Sequence, residues 1–206
     1  MKNMTAMNAK RKQAGFTIIE LVVVILLLGI LTATALPRFM DVTDEAHQAV
    51  VDATAAGLRT GAALYRAQWV AEGQPTTVVD STGFNLFAET TGYPKSVTAT
   101  LATTDCLAIY NSLLQNGRPL AASASIQATP GTTLVTEIAA NASGNEFVAQ
   151  LDANATLANS LSCSYYYVGQ YQTPAAAGGT RPIQKLTYTF ATGIVSQTTF
   201  AYVSAT

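Results

Sequence analysis

The sequence has few of the side chains that carry out chemistry. Its 206 residues include one histidine, two cysteines and one tryptophan, and only 11% of them are charged. The histidine, His47, follows Asp44 by three residues, a spacing at which a carboxylate can orient an imidazole. No recognisable motif places a serine or a cysteine beside it, so we expect an ordinary helix residue. The composition predicts no catalytic residues, no metal site and no cofactor.

The longest apolar run covers residues 16–36 and contains a single charge, Glu20. With a rise of about 1.5 Å per residue, a helix of this length spans about 30 Å, the thickness of a bilayer core. A carboxylate at that depth costs about 2.5–3.5 kcal/mol on insertion scales, and it is kept only where another group pairs with it. The run therefore predicts a membrane-spanning helix in which Glu20 needs a positively charged partner.

The residues before this run are basic. Residues 1–15 contain four lysine and arginine residues and no acidic residue, and Gly15 directly precedes Phe16. A secretory signal peptide has its small-residue cleavage site after the apolar segment, so the order here is reversed. The sequence Lys-Gln-Ala-Gly followed by Phe-Thr-Ile-Ile-Glu-Leu resembles the class III signal of type IV pilins and related pseudopilins.

The resemblance implies a processing pathway and a role for each of three residues. A prepilin peptidase in the membrane cuts after Gly15, and the new amino terminus, Phe16, is N-methylated. Glu20 is then the assembly glutamate, which meets the positive amine of Phe16 in an adjacent subunit and so acquires its counter-charge. The alternative is a plain signal anchor with a stray glutamate. That alternative leaves the basic leader, the Gly15–Phe16 junction and the position of Glu20 as unrelated features.

The charge distribution predicts orientation and excludes one class of partner. A basic leader keeps the amino terminus cytoplasmic and sends the rest of the chain across the inner membrane. The chain has 11 Lys+Arg and 12 Asp+Glu, and loss of the four leader charges leaves 7 against 12, a side-chain charge of about −5. This balance argues against nucleic acid as a partner. We expect a precursor in the inner membrane and a mature protein in an extracellular pilus.

Pro37 directly follows the apolar run. A proline inside a helix removes one hydrogen bond and bends the axis, and many pilins carry a proline near this position, so we expect a helix kink there. Leu-Pro-Arg-Phe at 36–39, with Asp41, Asp44 and Glu45 after it, resembles the mannose-sensitive haemagglutinin (MSHA) branch of the family.

From residue 41 to 70 the apolar residues recur with a helical period. One face carries Val51, Leu58, Ala62, Tyr65 and Trp69, and it is expected to hold the head. A second stripe contains only small residues: Ala49, Ala53, Ala56, Thr60, Ala63 and Ala67. Small stripes permit close helix packing, which favours contact with other subunits, although alanine is also a good helix former on an idle surface. A flank carries a charge every seven residues: Glu45, Asp52, Arg59 and Arg66.

These patterns predict an α+β, pilin-like fold in three parts. Residues 1–15 are the cleaved prepilin leader, 16–70 a long helix with its transmembrane and assembly half at 16–36, and 71–206 a globular head built on an antiparallel sheet. A short helix is expected between Asp105 and Gln115. Strands are expected at Thr76–Val79, Thr132–Ala139, Glu146–Leu151, Ser162–Gly169, Ile183–Phe190 and Ile194–Val203.

The two cysteines, Cys106 and Cys163, lie in the exported part of the chain. An even and minimal number of cysteines in such a domain predicts one disulfide. A metal or catalytic pair is the alternative, but nothing near either cysteine supplies a base or further ligands. The 43 residues after Cys163 depart from the common pilin arrangement, in which the disulfide encloses the carboxyl-terminal segment.

We therefore expect a structural subunit rather than an enzyme. It polymerises through its amino-terminal helix with copies of itself or related pilins into an MSHA-like type IV pilus for adhesion, after handling by the peptidase and the pilus assembly machinery. A type II secretion pseudopilin is the alternative within the family, weakened because no Asp or Glu follows Asp152 to bind the calcium of the major pseudopilins. A membrane-anchored enzyme or receptor would need a pocket of polar groups, for which the sequence offers no candidates.

Overall fold

The computed structural model describes residues 15–79, 84–123, 144–152, 161–171 and 180–203. The chain divides into two compact units, Met1–Glu45 and Ala46–Thr206. The long helix α1 spans Ile18–Ala71 and belongs to both units. The second unit therefore contains the carboxyl-terminal half of α1 together with the sheets.

Helix α1 ends at Ala71, shortly before a glycine and a proline. Gly73 has a φ of +82°, and its N–H bonds the carbonyl of Val70 at 3.1 Å. The Trp69 indole donates a hydrogen bond to the Pro75 carbonyl at 3.0 Å and fixes the chain beyond the helix. At Pro37 the backbone is helical on both sides. A kink at Pro37 stays a prediction.

In the second unit, the predicted apolar face of α1 packs into the core. Val51, Leu58, Ala62 and Tyr65 are all buried, and Trp69 is partly buried against the same cluster. The six residues of the small stripe are all exposed. Because side chains three and four residues apart share a face, one helix presents both a buried and an open surface.

The main sheet contains β4 (Ala121–Ser123), β5 (Phe147–Asp152), β6 (Ser162–Tyr167), β7 (Thr180–Thr189) and β8 (Val195–Val203), in that spatial order. Strands β5 to β8 are antiparallel neighbours, whereas β4 pairs with β5 in parallel. Gly193, with a φ of +67°, lies in the turn that joins β7 and β8 into a hairpin. A smaller antiparallel sheet contains β1 (Val78–Val79), β2 (Leu86–Ala88) and β3 (Pro94–Ser96).

The α+β, pilin-like layout predicted from the sequence is confirmed, and the differences lie in short elements. Strands β2, β3 and β4 have three residues each, too few to show an alternating pattern. The parallel pairing of β4 makes the main sheet mixed rather than wholly antiparallel. The strand expected at Thr132–Ala139 lies outside the described residues.

Buried tyrosines dominate the core of the second unit. Tyr65, Tyr110, Tyr165 and Tyr188 have no exposed surface, and each hydroxyl donates to a backbone carbonyl at 2.8–3.1 Å. Burying an aromatic ring contributes about 1.5–3 kcal/mol, but an unpaired hydroxyl would offset much of that gain. The carbonyl partners therefore let large amphipathic side chains fill the space between α1 and the sheets.

The short helix α2 (Asp105–Leu113) lies against the same core. Cys106 in α2 and Cys163 in β6 form a disulfide with their Cα atoms 5.4 Å apart. Gly61 of α1 is buried, and a Cβ built on it would lie 2.7 Å from the carbonyl oxygen of Leu113. Glycine at this position therefore permits the backbones of α1 and α2 to approach closely.

Candidate functional site: the amino-terminal segment

The residues around the expected cleavage point lie ahead of α1. Gly15, Phe16 and Thr17 are not helical, and Phe16 is 86% exposed. A Cβ built on Gly15 would meet no atom within 4 Å. A peptidase can reach an uncovered backbone outside a helix more easily than one inside a helix. The geometry of this junction is thus compatible with cutting after Gly15.

Glu20 lies in the first turn of α1 and is bound to Thr17. The Thr17 backbone N–H donates to Glu20 Oε2 at 2.9 Å, and the Thr17 hydroxyl donates to the same oxygen at 2.8 Å. In return, the Glu20 N–H donates to Thr17 Oγ1 at 3.3 Å. This reciprocal pattern is a capping box, in which the residue before the helix and the third residue within it satisfy each other's backbone donors.

The capping box gives Glu20 a role within its own chain. A carboxylate at a helix amino terminus is favoured by the helix dipole, and Thr17 supplies two donors to one of its oxygens. Oε2 of Glu20 thus accepts two hydrogen bonds from its own chain. A cation from another molecule could approach the other carboxylate oxygen, Oε1. The sequence pattern Thr-x-x-Glu before an apolar run is the signal that reveals this cap, and our sequence-based prediction missed it.

The helix after Glu20 is apolar around its whole circumference. Ile18–Leu36 has a mean hydropathy of 2.7, and none of this segment is buried. The hydroxyls of its two threonines are hydrogen-bonded to the backbone of the same helix. Thr32 donates to the Leu28 carbonyl at 2.8 Å, and Thr34 donates to the Leu31 carbonyl at 3.0 Å. Such back-bonding removes the cost of placing a hydroxyl in hydrocarbon. This segment has the length and composition to cross a membrane.

The remaining sequence candidates belong to the second unit. Cys106 and Cys163 are bonded to each other in the core of the second unit. His47 is partly buried, and its Nδ1 lies 2.6 Å from the hydroxyl of Tyr167 in β6. In the described part of the chain, no three His, Cys, Asp or Glu side chains are grouped so that they could hold a metal ion.

The chain thus begins with an exposed apolar helix that has a capped glutamate in its first turn, and an α+β unit follows in the sequence. Comparison with protein families matches residues 10–36 to the prokaryotic N-terminal methylation motif. That match includes Gly15, Phe16 and Glu20. The chain is also similar to the type IV narrow pilus major component PilA5 of Thermus thermophilus, with 56% identity over 62 residues.

The similarity to PilA5 covers part of each protein. It spans 30% of this chain and 52% of the relative, so the chain matches about half the length of that pilin. No solved structure matches the chain significantly. Together the motif and the relative support a likeness to type IV pilins over the matched part of the chain.

Proposed function

We propose that this protein is a subunit of a type IV pilus, cut after Gly15, N-methylated at Phe16 and polymerised through α1. The observation that carries the proposal is the methylation motif at residues 10–36, which coincides with an exposed apolar helix that has one carboxylate in its first turn. A soluble protein does not leave so long an apolar surface open to water. The inner membrane covers it before assembly, and neighbouring helices cover it afterwards.

Removal of the leader creates the cation that Glu20 lacks. Within the described residues, Glu20 is paired with neutral donors of Thr17. The amine of Phe16 in an adjacent subunit is a positive group at the same depth of the filament, and it can approach Glu20 Oε1. In hydrocarbon such a pair is far more favourable than a lone carboxylate. Processing by the prepilin peptidase is therefore coupled to assembly.

A pilus is favoured over a secretion pseudopilus by two observations. The relative found by comparison is named as a major component of a narrow type IV pilus. In addition, no Asp or Glu follows Asp152, where the major pseudopilins place calcium ligands. Membership of the MSHA branch, with adhesion as the task of the filament, is supported by the residues at 36–45 alone.

Imaging and mass spectrometry together test this function. Cells that express the chain should carry surface filaments that cells without it lack. The filament protein should begin with N-methylated Phe16. A filament protein with another amino terminus, or filaments that form equally without the chain, would contradict the proposal. Restoration of filaments by the wild-type chain on a plasmid is the control.

A further inference from the structure

The turn after α2 contains the one Asn-Gly pair in the sequence, Asn116 and Gly117. Helix α2 ends at Leu113, and Leu114 leaves helical geometry with a φ of −107° and a ψ of 70°. Asn116 and Gly117 follow outside any helix or strand, and both are exposed. Gly117 has a φ of +67°, and a Cβ built on it would meet nothing within 4 Å. The peptide bond that joins the pair is therefore open to water.

An asparagine followed by glycine can rearrange without a catalyst. The amide nitrogen of Gly117 attacks the side-chain carbon Cγ of Asn116 and closes a five-membered succinimide ring. The new C–N bond replaces the bond from Cγ to the side-chain nitrogen, which leaves as ammonia with the proton of the attacking nitrogen. Water then opens the ring at one of its two carbonyl groups and gives aspartate or isoaspartate at position 116. Water is the only further reactant that these steps consume.

The local structure decides how readily this ring closes. The backbone must rotate until the attacking nitrogen faces Cγ, and that nitrogen must be released from any hydrogen bond. Among the described residues, no hydrogen bond engages the Gly117 N–H or the Asn116 side chain. Glycine at 117 also places no Cβ beside the reacting atoms and allows the widest range of backbone dihedral angles. The turn therefore leaves the reaction unhindered.

Asn111 shows how the same fold protects a nearby asparagine. It lies within α2, where the backbone is fixed at helical dihedral angles. Its Oδ1 accepts a hydrogen bond from Arg118 Nε at 2.9 Å, which holds the side chain in place. Ring closure at Asn111 would require the end of α2 to unfold first. The structure thus distinguishes two exposed asparagines that lie five residues apart.

We infer that Asn116 is a site of spontaneous deamidation in the folded protein, through a succinimide formed with Gly117. Asparagine is among the heat-labile residues of proteins, and this one combines the most reactive sequence context with an exposed turn. The product adds one negative charge to the second unit. The reaction requires neither the leader nor a neighbouring subunit, so the inference does not depend on the proposed polymerisation.

The new charge arises beside a group that caps α2. Arg118 Nη1 donates to the carbonyls of Leu114 and Gln115 at 3.2 and 2.9 Å. A carboxylate at position 116 competes with these neutral carbonyls for the guanidinium, because hydrogen bonds between charged groups are stronger. We therefore expect deamidation to loosen the last turn of α2.

Ageing of the purified full-length chain in detergent tests the site. The folded protein is incubated at neutral and at alkaline pH, and its peptides are mapped by mass spectrometry at intervals. The peptide with Asn116 should acquire the mass of the acid form, faster at alkaline pH, because hydroxide removes the proton of the attacking nitrogen. Part of the product should be isoaspartate, which direct hydrolysis of the side chain cannot give and which an isoaspartate methyltransferase labels. Asn111 should stay unchanged in the same digest.

Asn116→Gln is the matched control. It keeps the side-chain amide, but the extra methylene disfavours ring closure, so this variant should convert severalfold more slowly. Gly117→Ala is less suitable, because a φ of +67° would strain alanine and alter the turn. The wild-type chain in denaturant is the second reference. There Asn111 should begin to convert, whereas the rate at Asn116 should change little.

The effect on α2 is measured with Asn116→Asp, which has the charge of the product from the start. Amide hydrogen exchange in the last turn of α2 should be severalfold faster in Asn116→Asp than in Asn116→Gln. Equal exchange rates in the two variants would show that Arg118 keeps its carbonyl partners, and the loosening would be wrong.

Three results would overturn the modification site itself. The first is an intact Asn116 in the folded chain over a period in which the denatured chain converts it. The second is conversion without isoaspartate, which would exclude the succinimide. The third is conversion of Asn111 as fast as that of Asn116 in the folded protein. None of these measurements involves filaments, so their outcome leaves the proposed pilin function unchanged.

Discussion

At Gly15, the absence of a side chain is the property that the expected cleavage requires. Gly15→Val should leave an uncleaved precursor in the inner membrane, because a branched side chain cannot enter a peptidase site built for glycine. Gly29→Val makes the same chemical change within the apolar helix, where a Cβ meets nothing within 4 Å, and should be cleaved normally. Mass spectrometry of the amino terminus distinguishes the two. A mature terminus at Phe16 in the Gly15→Val strain would contradict this assignment.

The disulfide between Cys106 and Cys163 links helix α2 to strand β6. Cys106→Ser/Cys163→Ser should lower the free energy of unfolding by about 4 kcal/mol on the chain-entropy model, since the bond closes a loop with a sequence separation of 57. Denaturant unfolding of the detergent-solubilised protein, with and without the change, measures the difference. Equal stability of the two proteins would show that the bond does not constrain the unfolded chain.

Because tyrosines of the sheet are buried, we expect the free energy of unfolding to fall as the pH becomes alkaline. Burial, aided by the negative charge of Asp152, raises the pKa of Tyr166 in β6 to about 12. A tyrosine with a raised pKa stabilises the fold fully below its unfolded pKa of about 10, and that contribution is lost as the pH rises towards 12. The loss from Tyr166 alone is on the order of 2 kcal/mol.

Unfolding free energies measured between pH 8 and 12 test this dependence. Tyr166→Phe cannot ionise and should show a shallower decline than the wild type, although the other buried tyrosines still contribute. Identical slopes for the two proteins would indicate that Tyr166 titrates at its ordinary pKa in the folded state.

The elements that could be predicted from the sequence are those with local and repeated signals. The amphipathic half of α1 shows a helical period, the apolar run is uninterrupted except at Glu20, and β5 to β8 coincide with runs rich in β-branched and aromatic residues. Gly15, Phe16 and Glu20 could likewise be proposed because the motif that carries them is contiguous. The three-residue strands β2 to β4 carry no such period, and tertiary pairing alone defines them.

The contacts of two arginines of α1, Arg59 and Arg66, show why the rest could not be predicted. Arg66 is held by Tyr93, 27 residues away, and Arg59 by the carbonyl of Val195, 136 residues away. Both arginines are visible in the sequence, but nothing local indicates which neutral groups hold them. Partners at such separations become visible only when the chain is folded.

For the whole molecule, we expect assembly to depend on the charge of Glu20 rather than on the shape of its side chain. The capping box with Thr17 gives Glu20 a structural role that could be confused with an assembly role. Glutamine completes a capping box as glutamate does, so Glu20→Gln keeps the cap and removes only the charge. Glu20→Ala removes both and serves as the comparison for helix capping.

The most direct test is therefore the number and length of surface filaments in cells whose only copy of the chain carries Glu20→Gln. Loss of the charge makes insertion of residues 16–36 easier, so a simple anchor would be unharmed or improved. Our account predicts normal insertion, normal cleavage to Phe16 and failure to enter filaments. Filaments of wild-type number and length would contradict the pairing of Glu20 with the amine of a neighbouring subunit.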